Sequence, residues 1–215
     1  MSYSIESITE SIGARRMGNA PATIDWLLTD SRSLNFPEET LFFALTTKRN
    51  DGARYIADLY ARGVRNFVLS EESFRLMDNG QLTIDNAMQR DDAQSIVNYL
   101  IVPNPLKALQ KLAEQHRNRF QIPVIGITGS NGKTVVKEWL HQLLSPERAI
   151  IRSPRSYNSQ IGVPLSVWQM NEQSELAIFE AGISEPGEMR ALQNIIKPTI
   201  GILTNKGGAN QENFF

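Results

Sequence analysis

Cysteine is absent from the 215 residues. Its absence removes disulfides, thiolate metal sites and a cysteine nucleophile together, and nothing points to an oxidising destination. Histidine is scarce, with two copies: His116 in EQHRNRF and His141 in EWLHQLL, both of which read as helical surface or boundary residues rather than catalysts. No run approaches the roughly 20 apolar residues of a membrane span. The opening MSYSIESITESIGARR lacks the apolar core of a signal peptide, so the cytoplasm is the expected compartment. Neither charge dominates, since 22 basic and 23 acidic residues leave a net charge of −1, and neither a nucleic-acid nor a membrane surface is indicated. There is no internal repeat and no low-complexity stretch. What remains is 41% hydrophobic, enough to bury the core of one large or two modest domains.

The apolar positions alternate between two periods. Ile5, Ile8 and Ile12 recur at helical spacing and stop at Gly13, a glycine C-cap. Strand-like runs follow at Ile24 to Leu28, Leu41 to Leu45 and Asn66 to Leu69, with a helix over Ala53 to Arg62 that buries Ile56, Leu59 and Tyr60 and ends at Gly63. The run Ser95 to Val102 reads as a strand, although periodicity alone also allows a helix. Pro103-Asn104-Pro105 punctuates the chain, and a helix is expected from Pro105 to about Phe120. Two domains are therefore expected, 1–103 and 104–215. In the second, strands at Val124–Thr128, Ala149–Arg152, Glu175–Ala181 and Thr199–Thr204 alternate with helices at Lys133–Leu144, Ile161–Gln169 and Pro186–Ile195. This rhythm predicts an α/β fold with a mainly parallel sheet, helices on both faces and ligands at the carboxyl ends of the strands.

One segment of that rhythm carries chemistry. VIGITGSNGKT, Val124 to Thr134, is a β-branched run broken by glycines and closed by Lys133 and Thr134 at the mouth of an amphipathic segment. Gly129 and Gly132 let the backbone turn tightly enough for N–H groups to converge on an anion, with the helix start adding its positive end. The loop of Gly129, Ser130, Asn131, Gly132, Lys133 and Thr134 is thus expected to bind the phosphates of ATP, with Lys133 along the β- and γ-phosphates and the Thr134 hydroxyl on Mg²⁺. The common pattern G-x-x-x-x-G-K-[ST] wants glycine at position 127, where Ile127 stands. The loop alone does not separate a kinase, a GTPase and a ligase. Glu180 ends the apolar run LAIFE, where a second metal-binding acid belongs in nucleotide-binding sheets.

The spelling TGSNGKT resembles the ATP loop of the Mur ligase superfamily, and further segments resemble that family in the same order. NSQIGVPL, from Asn158, is similar to its N-x-x-G-x-P-L stretch. Glu180 in FEAGISEPGEM is similar to its E-x-G acid, and TNKGGANQE, from Thr204, to T-N-I-G-x-A-H-x-E. Asn210 stands where that last motif has histidine, and Lys206 where it has an apolar residue. Nearer the start, Asp30-Ser31-Arg32 resembles the family's D-S-R segment. LFFALTTKRNDGARYIADLYARG, from Leu41, resembles F-F-A-x-x-G-x-x-x-D-G-H-x-F-I-x-x-A-x-x-x-G, with Thr46 and Thr47 near the expected glycine and Ala53 for the histidine.

The resemblance implies an N-terminal uridine-nucleotide-binding domain followed by a truncated phosphate-loop domain, with the family's C-terminal ligase domain not represented in the sequence. It implies ATP and Mg²⁺ as cofactors, with Lys133 and Glu180 catalytic and Thr134 and Glu180 holding the metal. Ser31, Arg32, Thr46, Thr47, Asp51 and Asn158 would bind a UDP-N-acetylmuramoyl peptide. The N-terminal motifs fit the branch that joins D-alanyl-D-alanine to the UDP-muramoyl tripeptide, some members of which are fused to an alanine racemase. Two alternatives remain at this stage: the sibling ligase that adds the third amino acid, and a non-catalytic nucleotide-sugar-binding module. Under the ligase reading, a piece lacking the last domain is expected to fold but not to form an amide bond.

Overall fold

A computed structural model describes residues 1–47, 50–78, 96–182 and 187–206. The chain divides into two compact units, Met1–Leu109 and Gln110–Phe215.

In the first unit β1 (Tyr3–Ser4) leads directly into α1 (Ile5–Ile12). Ser4 caps that helix by accepting from the Ser7 amide at 3.2 Å, and Gly13 closes it in the left-handed conformation at φ 69, as the isoleucine spacing and the glycine require. The strands β2 (Arg15–Met17), β4 (Trp26–Leu28), β5 (Thr40–Phe43), β8 (Asn66–Ser70) and β9 (Asn98–Val102) form one sheet in the order β2-β9-β8-β5-β4. All neighbouring pairs are parallel except β2 with β9. The expected strand at Ile24 to Leu28 is interrupted at Asp25. Its first part, β3 (Thr23–Ile24), pairs with β1, while β4 joins the main sheet. A small hairpin joins β6 (Thr46–Thr47) to β7 (Asn50–Asp51). The helix expected at 53–62 is a 3₁₀ turn, Gly52–Tyr55, running into α2 (Ile56–Ala61). Ile56 and Leu59 are buried with Phe42, Phe67 and Leu69, and Tyr60 packs half-buried at the margin. α3 (Glu71–Asp78) was not foreseen.

The second unit uses the end of α4 (Pro105–Arg117) and a four-stranded sheet of β10 (Val124–Thr128), β11 (Ile150–Arg152), β12 (Leu176–Glu180) and β13 (Ile200–Leu203). All its pairs are parallel, in the order β11-β12-β10-β13. Strand alternation sends side chains to two faces. Ile125, Ile127, Leu176 and Ile178 meet Val136, Leu140 and Leu144 of α5 (Lys133–Leu144). Val124, Ala177 and Phe179 meet Val163 and Val167 of α6 (Gly162–Val167) and Leu192 and Ile195 of α7 (Glu188–Ile196). The sheet is therefore wound on both faces, as expected. From β10 the chain turns toward β11, and from β12 it crosses to β13 on the other side. The switch in direction falls between β10 and β12, the usual position of a ligand crevice in such sheets.

The helix from Pro105 stops at Arg117 rather than Phe120, because the Arg117 side chain turns inward to bond the carbonyls of Phe120, Ile196 and Lys197. His116 is a correction to the surface reading: it is 2% exposed. Its ring packs on Phe120 and Trp168, and Nε2 lies 3.0 Å from the Met170 carbonyl. His141 is half-buried on α5.

Candidate functional site

The carboxyl ends of the four parallel strands of the second unit bring together residues far apart in sequence. After β10 the chain turns at Gly129 (φ 131) and Gly132 (φ 84) before α5 begins. The loop is held from behind by the residues that follow β13. The Thr204 hydroxyl donates to the Asn131 carbonyl at 2.5 Å and to Thr128 O at 3.2 Å. The Asn205 carbonyl accepts from the Ser130 amide at 3.2 Å, and its side-chain oxygen accepts from the Asn131 amide at 2.9 Å. Gly129 is needed for this approach, because a Cβ there would collide with the Thr204 hydroxyl and sit 3.0 Å from the Asn205 backbone.

With the Ser130 and Asn131 amides engaged, the N–H groups free to meet an anion are those opening α5. Its first ladder bond runs from Val136 N to Gly132 O, which leaves the amides of Lys133, Thr134 and Val135 without helical partners. Lys133 folds back over the loop, Nζ donating to Gly129 O at 2.5 Å. The Thr134 hydroxyl donates to Glu180 Oε2 at 3.0 Å. Sequence reasoning named both residues as metal ligands, and the sheet register places them together: Ile127 pairs with Glu180 across β10 and β12.

Glu180 is fully buried, and its Oε1 accepts no hydrogen bond, facing instead the ammonium of Lys137 at 2.9 Å. A hydroxyl and a hard carboxylate at a helix N-terminus form the donor set that suits Mg²⁺ bound chiefly through phosphate and water. Among the described residues no group of three His, Cys, Asp or Glu side chains is placed to hold a metal by itself. Asn158 lies alongside: its carbonyl accepts from the Gly182 amide at 2.8 Å, and a Cβ on Gly182 would come 3.0 Å from Asn158 Oδ1. Lys206 is exposed beyond the Thr204–Asn205 brace. Asn210 and the Lys48–Arg49 pair lie outside the described residues.

The uridine candidates of the first unit also gather at strand carboxyl ends. Ser31 and Arg32 sit in the 3₁₀ turn after β4, capped by Asp30. Arg32 is 87% exposed and paired with Asp30, Nη2 to Oδ2 at 2.6 Å. The Arg32 guanidinium, bonded to the Asp30 carboxylate, holds that group below its ordinary value. Thr46, Thr47 and Asp51 belong to the hairpin after β5. Asp51 is used structurally, accepting from the Ala53 amide at 2.9 Å and from the Ser73 hydroxyl at 2.9 Å. Arg62, at the end of α2, donates to the Ser31 carbonyl at 2.8 Å, so the helix that follows the Asp51-capped 3₁₀ turn is tied to the Ser31 turn.

Comparison with known proteins agrees with this fold. Residues 127–213 match the Mur ligase middle domain. The UDP-N-acetylmuramoyl-tripeptide–D-alanyl-D-alanine ligase of Borreliella burgdorferi is 32% identical over 91% of the chain and 40% of its own length. The Bacillus subtilis ligase of the same name is 29% identical over 88% of the chain and 37% of its own length. The chain thus spans about two fifths of the length of these curated relatives. Among solved structures, MurF from Acinetobacter baumannii superposes on 100% of the chain, and 43% of its own, with a TM-score of 0.81 at 24% identity. MurF from Thermotoga maritima, in complex with ADP, superposes on 86% of the chain, and 38% of its own, with a TM-score of 0.67 at 27% identity. Along nearly its whole length, therefore, the chain is similar to Mur ligases of the MurF type, and residues 127–213 match that family's middle domain.

Proposed function

We propose that the chain forms the substrate-binding and ATP-phosphate-binding parts of an ATP-dependent ligase that joins D-alanyl-D-alanine to a UDP-N-acetylmuramoyl tripeptide in peptidoglycan synthesis. Residues 1–103 would hold the uridine diphosphate moiety and residues 104–215 the nucleotide phosphates. The observation that carries this reading is the 3.0 Å contact of Thr134 with Glu180 at the switch point of a parallel sheet, beside a glycine loop closed by Lys133. In the proposed reaction the terminal carboxylate of the tripeptide attacks the γ-phosphorus, ADP leaves, and the amine of D-alanyl-D-alanine displaces phosphate from the acyl phosphate. Lys133, released from Gly129 O, neutralises charge on the transferring phosphoryl group, and the amides of Lys133 and Thr134 orient it. Mg²⁺, held by Thr134 and Glu180, would add Lewis-acid stabilisation of the same oxygens. Ser31 and Arg32 anchor the distant diphosphate, where a guanidinium fork suits paired oxygens. The substrates of such a reaction belong to the cytoplasm, and no helix among the described residues is long and apolar enough to cross a membrane.

Calorimetry with Mg·ADP tests the phosphate site on the 215-residue chain. Loss of a charged hydrogen bond, worth about 1.5–3 kcal/mol, is expected to weaken binding at least roughly tenfold in Lys133→Ala. Failure of the wild-type chain to bind, or equal affinity in the variant, would overturn the assignment.

A further inference from the structure

Lys137 lies one turn beyond Lys133 and three residues beyond Thr134 on α5, hence on the same face of the helix. It is fully buried against an equally buried Glu180 (0% exposed each). Four oxygens surround its ammonium: Glu180 Oε1 at 2.9 Å, Glu138 Oε1 at 3.2 Å, the Ser153 carbonyl at 2.9 Å, and the Arg155 carbonyl. Its ammonium donates to the Ser153 and Arg155 carbonyls, while the two carboxylate oxygens face it as ion-pair partners.

The cage is organised around Glu180. The two carboxylate oxygens are divided, Oε1 toward Lys137 and Oε2 toward Thr134. Ser153 gives its carbonyl to Lys137, while its hydroxyl accepts from the Glu180 amide at 3.1 Å. Arg155 occupies the left-handed region at φ 49, a conformation that residues other than glycine seldom adopt, and its carbonyl is one of those that meet Lys137. From there the loop continues to Asn158, which touches Gly182 two residues beyond Glu180. A solvated counterion would neutralise the carboxylate as well, but it would not fix which oxygen faces the phosphate loop.

We infer that Lys137 is a positioning residue for the phosphate site, a built-in cation that holds Glu180 with Oε2 alone presented beside Thr134 and clamps the Ser153–Asn158 loop to it. The inference rests on the phosphate-loop reading of Lys133, Thr134 and Glu180.

The test compares ADP affinity with Mg²⁺ and with EDTA, in wild type and Lys137→Met, at a temperature where melting curves show both folded. Removing a group that orients a ligand from behind is expected to cut the Mg²⁺-dependent gain in affinity by about 10- to 100-fold, with metal-free ADP binding unchanged. A lysine that only supports the fold would lower the melting temperature and leave that gain intact. Lys137→Gln, whose amide can still donate to the carbonyls of Ser153 and Arg155, provides the same comparison if Lys137→Met does not fold. A gain equal to or above that of wild type in either folded variant overturns the inference alone, as does failure of both variants to fold. Absence of Mg·ADP binding by the wild-type chain overturns the phosphate-loop reading and the inference with it.

Discussion

Gly129 and Gly132 both have positive φ, yet the structure predicts very different consequences of adding a methyl group to each. At Gly132 (φ 84) the nearest atom to a new Cβ is Thr204 Cβ at 3.9 Å, so Gly132→Ala meets backbone strain and ordinary contact only. That strain is about 1–2 kcal/mol, less about 0.4–1 kcal/mol recovered by restricting the unfolded chain, for a net loss of about 0.5–1 kcal/mol. At Gly129 (φ 131) the Cβ meets the Thr204 hydroxyl and the Asn205 backbone. The hydroxyl, whose single proton is directed chiefly to Asn131 O with Thr128 O beside it, cannot retreat without losing that bond, worth about 1 kcal/mol, on top of the backbone strain of about 1–2 kcal/mol. Gly129→Ala should therefore lose about 2–3 kcal/mol, and its loop should bind Mg·ADP poorly because the brace is displaced. Urea denaturation of the second unit, followed by the fluorescence of Trp139 and Trp168 and paired with calorimetry for ADP, measures both quantities. If the two variants agree to within about 0.5 kcal/mol, the accuracy expected for independent sites, the brace does not hold the loop as described.

Further outcomes follow from the same geometry. Burial pushes the His116 imidazole down to about 4, against about 6.5 in an unfolded chain. Between those values the unfolded state binds a proton that the folded state does not, so stability is complete above about pH 6.5 and falls by up to roughly 3 kcal/mol on the way to pH 4. Denaturant melts across that range should show the loss in wild type and much less of it in His116→Phe; an equal slope in both would assign the effect elsewhere. Arg32→Ala should weaken calorimetric binding of a UDP-muramoyl tripeptide by about 1–3 kcal/mol through the lost charged contact, while the melting temperature stays put because its pair with Asp30 is exposed. A variant indistinguishable from wild type in binding would move the uridine site away from the Ser31 turn.

The parts of this molecule that were legible in its sequence are those set by local chemistry. β-branched runs and glycine stops located all four strands of the second sheet, and the Lys133–Thr134 pair marked the start of α5. Glu180 was found because a strand end announces itself. Lys137 was passed over, since an isolated lysine in an amphipathic segment reads as solvated. The available signal was its spacing of four from Lys133, which puts it on the site-facing side of the helix. His116 and Arg117 were missed for a related reason: they look polar in EQHRNRF, but their partners are backbone carbonyls at Met170, Ile196 and Lys197, more than fifty residues away. Nor does TNKGG show that Thr204 and Asn205 carry the loop. β2 and α3 went unread because β2 is only three residues long and takes its order from pairing with β9, while the polar face of α3 masks its period.

The brace after β13 also bears on the order in which the protein acquires its binding site. Every residue usually credited with phosphate recognition is present once synthesis passes Thr134, but the hydrogen bonds that shape the loop come from Thr204 and Asn205, across sequence separations of 73 and 74 residues. Closing so long a connection is entropically slow, and it must follow the docking of β13 beside β10. A nascent chain that has not yet delivered its fourth strand would carry the motif without the cradle. Nucleotide added during refolding should accordingly protect the amides of β13 from hydrogen exchange as strongly as those of the loop itself, making the ligand a reporter of sheet completion.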